Sequence, residues 1–145
     1  MKTRIDILKA EPQALQAMYG LEKYLQSTEL SHAHNELIKI RTSQINGCAY
    51  CLDMHTRDAR KYGETEQRIY LLNAWREAGL FSKEEQAILA LTEEVTLISK
   101  GGVSDETYEK ALELPGEKYL NQVIVAIVVI NGWNRIAIST RKEIG

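Results

Sequence analysis

Apolar residues recur along this chain mainly at intervals of three and four, the period of an α-helix laid against a core. Leu15, Met18, Tyr19, Leu21, Tyr24 and Leu25 follow Pro12 in that register, and a proline in the first turn suits a helix running to about Gln26. Ser27-Thr28-Glu29 interrupts the pattern. Ser31 fits the N-cap of a second helix carrying Leu37, Ile38, Ile40 and Ile45. Asn46-Gly47 ends it and returns the chain for a third helix, from about Cys48 to Tyr62, stopped at Gly63.

A further helix is expected from Thr65-Glu66 through Ile69, Leu71, Leu72, Trp75 and Ala78 to Gly79. Ser82 and Glu85 have capping-box spacing and open another, with Ile88, Leu89, Leu91, Val95 and Ile98 ahead of Gly101-Gly102. Ser104 caps a shorter one through Leu112, and Pro115-Gly116 breaks again. The last stretch, Glu117 to about Thr140, contains the apolar run Val123–Ile130. Its β-branched residues would also suit a buried strand, but no partner strand is visible, so it reads as a helix buried all round. The expected class is all-α, one domain over 1–145, with no repeat, low-complexity segment or linker.

A chain of 145 residues buries roughly 68–70% of the surface its unfolded form exposes, enough to fold without staples. With 44% apolar and 26% charged residues and a net charge of −2, it has no excess of basic charge to hold nucleic acid or an anionic membrane. The eight-residue apolar run is far short of the ~20 residues of a membrane span, so none is expected. The start, Met1 to Asp6, lacks the apolar core of a signal peptide, and the expected location is the cytoplasm.

Chemistry concentrates at Gly47-Cys48-Ala49-Tyr50-Cys51-Leu52-Asp53-Met54-His55. On a helix at about 100° per residue, Cys51 lies about 60° from Cys48 and His55 about 20°, so the three share one face. Two thiols three apart can close a reversible disulfide or hold a metal, and an imidazole four residues beyond Cys51 can take its proton or ligate beside it. In a reducing compartment such a pair is more often catalytic or metal-binding than a staple. Placement in a helix's first turn favours thiolate. Glu36, twelve residues before Cys48, is the fourth member if its helix folds back. Roughly 15 Å of helix rise separates it from the turn, so only an oblique crossing would bring its carboxylate to the thiols.

Zinc held by Cys48, Cys51, His55 and Glu36 is the main rival, although structural zinc sites usually have a second cysteine or histidine pair, and no other cysteine exists. Two small buried cysteines are the plainest alternative. His32 and His34 read as surface or interface residues on opposite faces. Trp133, with Asn131, Asn134 and Arg135, reads as packing or as the mouth of a pocket. Trp75, Tyr19 and Tyr24 read as core or subunit contacts.

Glu36 and Cys48-x-x-Cys51-x-x-x-His55, with Asn46 to Thr56 around the cysteines and Ile130-Asn131-Gly132-Trp133-Asn134-Arg135-Ile136-Ala137 near the C-terminus, resemble the alkylhydroperoxidase D-like (AhpD-like) branch of the carboxymuconolactone decarboxylase family. The resemblance implies an all-α helical bundle in oligomers built from trimers, often hexamers. It also implies reduction of an organic hydroperoxide by a dithiol–disulfide cycle without a cofactor or metal. By motif position Cys51 would attack the peroxide and Cys48 would resolve the sulfenic acid, with His55 and Glu36 moving protons. An external dithiol, in relatives a lipoyl-bearing protein, would reopen the disulfide. The reverse order of the two cysteines is the pattern of thioredoxin-like sites. Where relatives can carry a second histidine between the cysteines, this chain has Tyr50, a poor base at neutral pH. The decarboxylase branch works without the cysteine pair, which disfavours decarboxylation. A redox-sensing module with little turnover is the alternative of a different class.

Overall fold

Ser31, Thr65, Ser82 and Ser104 each accept a hydrogen bond from a backbone N–H in the turn that follows, and helices start where those hydroxyls stand. At Ser82 the arrangement is reciprocal, because the Glu85 carboxylate accepts the Ser82 N–H. In this computed structural model, which describes residues 2 and 4–145, the elements are α1 (Ile7–Ala10), α2 (Pro12–Gln26), α3 (His32–Asn46), α4 (Ala49–Lys61), α5 (Glu66–Tyr70), α6 (Trp75–Ala78), α7 (Lys83–Thr96), α8 (Asp105–Ala111) and α9 (Gly116–Thr140). Short 3₁₀ turns occupy Leu72–Ala74 and Ile98–Lys100, and no strand occurs among the described residues.

Helix α3 is the hub. It packs against α4, α7 and α9, and α2 lies on α9 at the edge of the bundle. Ile38 of α3 joins Leu25, Ile88, Leu91, Leu120, Val123, Ile127 and Ile130 in one core cluster. Leu37 and Ile40 face the other way, toward Ala59, Ile69, Leu72, Trp75, Phe81 and Leu89. A helix with cores on two sides shows no single apolar stripe.

The segment expected as one helix from Thr65 to Ala78 is broken into α5, a 3₁₀ turn and α6. A 3₁₀ turn has three residues per turn, which sets Leu72 and Trp75 on one line, and both are buried in the same cluster. Helix α7 stops at Thr96, leaving Ile98 exposed. Cys48 caps α4 instead of lying inside it. Nor is α9 buried all round: Asn121, Val128 and Arg135, seven apart, face outward with Ile138, since the neighbouring helices cover only part of its circumference. By length and composition α9 is long and apolar enough to cross a bilayer, which the eight-residue run alone does not reveal. Ten of its residues are buried in this bundle. Tyr19 and Tyr24 lie exposed on α2.

A half-buried carboxylate ties three elements together. Glu93 of α7 accepts hydrogen bonds from Arg41 Nε of α3 at 3.0 Å, and from Trp75 Nε1 and Arg76 Nη1 of α6 at 2.7 Å each. Burial alone would raise its pKa, but these donors outweigh it and hold the carboxyl below its ordinary value of 4.5. The same balance, burial against bonds from Arg68 and the Ser82 N–H, lowers Glu85. A lowered folded pKa contributes stability that is present above the unfolded value and lost as pH falls through the folded one. Glu93→Gln should therefore lower the urea midpoint at pH 7 and shrink the loss of stability on acidification below the 4.5 reference. In the core, Ile127→Ala should cost about 2–5 kcal/mol in urea unfolding, whereas Val128→Ala, on the outward face, should cost less than about 0.5 kcal/mol.

Candidate active site

Gly47 takes a left-handed conformation, φ +71°, and its N–H and that of Cys48 both reach the Ser43 carbonyl. The chain reverses within these two residues. Cys48, in extended conformation, becomes the N-cap of α4, and its Sγ accepts the Cys51 N–H at 3.3 Å. The two cysteines are disulfide-bonded, with Cα atoms 5.3 Å apart. Both are buried, 1% and 2% exposed, against Ala137 and Tyr50.

A polar seam fixes this turn to α9. Asn46 Nδ2 donates to Asn131 Oδ1 at 3.0 Å and to Asn134 Oδ1 at 2.9 Å, and Asn134 Nδ2 donates to Ser43 Oγ at 3.0 Å. Asn131 Nδ2 in turn donates to Thr96 Oγ1 of α7. Asn134 is fully buried, so its amide depends on these partners.

The reversal runs α4 back along α3, so that Glu36, eleven residues before Gly47, faces His55, eight residues after it. Glu36 Oε2 lies 3.5 Å from His55 Nδ1, and both side chains are buried. The carboxylate thus reaches the site through His55, one turn beyond Cys51. Its other oxygen, Oε1, is 3.8 Å from Nε2 of His32, whose ring packs on Tyr62 at 3.9 Å between centroids. His34 points elsewhere, with Nδ1 2.6 Å from the Tyr119 hydroxyl. The two histidines serve different faces, as their spacing predicts.

Beside the disulfide lies a cavity of about 710 Å³. Cys51, His55, Tyr50, Met54 and Asp58 of α4 line one side, and Trp133, Ile136 and Ala137 of α9 another. Cys48 is not among the described lining residues. Trp133 fills both of its expected roles, packing against the main core cluster and lining the cavity, and its Nε1 donates to Glu22 Oε1 at 3.0 Å. Tyr50 lines the cavity under the Lys142 ammonium, 4.7 Å from the ring centroid.

Sequence reasoning missed Asp58, Glu22 and Lys39. Asp58 is at i+3 from His55 and i+7 from Cys51, a register that marks it as sharing their face. Glu22 and Lys39, 3.6 Å apart on different helices, meet only through the packing of α2 and leave no local signal.

The model of the carboxymuconolactone decarboxylase family matches residues 12–94. Uncharacterized protein YdfG of Bacillus subtilis (strain 168) is 46% identical over 139 residues, covering 96% of this chain and 95% of that protein. The crystal structure of a protein of unknown function from Agrobacterium tumefaciens, described as a candidate antioxidant defence protein AhpD, superposes with a TM-score of 0.95. That protein is 41% identical over 99% of both chains, and the fold here is accordingly the AhpD-like one. The debrominase Bmp8 shares the fold at a TM-score of 0.84 and 16% identity, over 95% of this chain and 74% of its own.

The seam's contribution is measurable. Asn134→Ala removes a buried amide and strands Ser43 and one Asn46 bond, and should cost about 1–3 kcal/mol in denaturant unfolding.

Proposed function

The chain belongs to the carboxymuconolactone decarboxylase family, and from that premise we propose that it is a thiol-dependent peroxidase that reduces an organic hydroperoxide at Cys51. The observation that carries this reading is the asymmetry of the pair: Cys51 lines the cavity beside His55, while Cys48 lies behind it as the cap of α4. A peroxide entering the cavity meets Cys51 first.

His55 takes the Cys51 proton, and Glu36 holds the imidazole in place. The 3.5 Å between Glu36 Oε2 and His55 Nδ1 is longer than an ordinary hydrogen bond, as catalytic contacts in a resting site often are. The Cys51 thiolate attacks the peroxide's distal oxygen. The O–O bond breaks, the alcohol leaves with the proton from His55, and Cys51 becomes a sulfenic acid. Cys48 then attacks the Cys51 sulfur, forming the disulfide and expelling water.

Reduction runs in the opposite sense. An external dithiol attacks Cys51, the sulfur on the cavity, and Cys48 departs as a thiolate stabilised by the first-turn N–H groups of α4. Attack by the second thiol of the reductant then frees Cys51. Because both sulfurs are buried, the reductant must be slender, and a dithiol on a flexible arm, such as a lipoyl group, suits the cavity. The oligomer expected from the family resemblance, a trimer or hexamer, belongs to the same proposal.

Mixing reduced protein with an organic hydroperoxide and a dithiol should give turnover, with two thiols lost per chain when the reductant is omitted. Absence of turnover with both thiols still reduced would overturn the assignment. Cys51→Ser should abolish consumption, and Cys48→Ser should stop after one oxidation that a sulfenic-acid probe traps. Exchanged phenotypes would reverse the order of the cysteines. His55→Gln should slow thiol oxidation by about 10²-fold or more, with a smaller loss for Glu36→Gln. Fast disulfide formation without turnover would indicate a redox sensor.

A further inference from the structure

Beside the disulfide, three groups converge that could hold a metal ion: Glu36 on α3, and His55 and Asp58 on α4. One donor atom from each lies within 4.8 Å of the others. Glu36 and His55 are each 5% exposed, and Glu36 Oε2 and His55 Nδ1 have no hydrogen-bond partner among the described residues. Buried polar atoms are ordinarily paired, and buried charges are paired with opposite charge or coordinate metals. Among the described residues, Glu36 has ion-pair contacts with His32 and His55 only, and no Lys or Arg neutralises it.

The spacing is informative. The Glu36 Oε2 to His55 Nδ1 separation of 3.5 Å is too long for a hydrogen bond. For bonds of about 2.0–2.2 Å to a tetrahedral ion, neighbouring donors stand roughly 3.3–3.6 Å apart. Asp58 is only partly buried and lines the cavity, so rotation of its carboxylate closes the remaining gap and an ion can enter from the cavity side. A histidine and a carboxylate three residues apart on one helix, facing a glutamate on the next, follow the pattern of ion sites inside helical bundles.

We infer that Glu36, His55 and Asp58 form a binding site for a divalent first-row transition ion of the zinc or cobalt type, open to the oxidised protein. Imidazole with two carboxylates suits such ions better than magnesium or calcium, which favour all-oxygen sets. The site differs from a thiolate zinc site: with Cys48 and Cys51 bonded to each other, neither sulfur is free to ligate. Where the peroxidase reading holds, an ion here occupies the groups that move the proton and arrests turnover. Binding itself is independent of that reading.

The test is calorimetric titration of zinc(II) and cobalt(II), with visible spectra of the cobalt form, on the oxidised protein and on Cys48→Ser/Cys51→Ser. One ion per chain in both proteins, without thiolate-to-cobalt charge-transfer bands, is expected. Asp58→Asn should weaken binding at least about tenfold, and Glu36→Gln more, in variants whose circular dichroism is unchanged. Binding that requires free thiols, that is indifferent to both substitutions, or that is absent from the oxidised protein and the double variant alike would overturn the inference. Because no peroxide is present, a peroxidase assay that fails leaves this result standing, and the converse also holds.

Discussion

The left-handed turn at Gly47 is the constraint on which the site depends. A residue with a Cβ pays roughly 1 kcal/mol or more for that conformation, even though no atom would crowd the added carbon. The cost of replacing Gly47 is therefore one of backbone torsion, not of space. Two functional consequences come from the single reversal. It ends α3 at Asn46, two residues before Cys48, which makes that cysteine a helix cap, and it sends α4 back along α3, which sets Glu36 beside His55. The asparagine seam to α9 then fixes the turn against the longest helix of the bundle.

Helix α3 shows why a chain of this size can carry a buried carboxylate. Its Leu37, Ile38 and Ile40 are buried toward two separate clusters, so the helix is anchored on both sides. Glu36 lies beside His55 of α4 and is held there by the packing of its immediate neighbour Leu37. A helix with one apolar stripe could rotate to expose such a group to water. This one cannot do so without lifting a core residue from each cluster.

Most of the helices were legible from local signals. Caps at Ser31, Ser82 and Ser104, the glycine at 47 and the proline at 12 all act within a turn of themselves, and sequence shows them directly. The share-a-face argument held for Cys51 and His55, which line one cavity from one helix, whereas Cys48 caps that helix from outside and escapes the geometry the argument assumed. What sequence obscured arises between helices. The break at Leu72–Ala74 answers to a core that wants Leu72 and Trp75 in line. The outward stripe of α9 depends on how many neighbours surround it, and the meeting of Glu22, Lys39 and Trp133 depends on where α2 comes to rest. Glu36 was identified by spacing, but its contact with His55 instead of the thiols required the two helices' relative direction.

The disulfide lies within a single turn of helix, and this sets its thermodynamic weight. A cross-link closing a four-residue loop removes little freedom from the unfolded chain, about 2 kcal/mol on a chain-entropy estimate against about 4.7 kcal/mol for a hundred-residue loop. The two large core clusters and the asparagine seam do not pass through it. Opening this bond therefore takes away a modest part of the fold's stability, and the sulfurs can change oxidation state while the scaffold around them keeps its shape.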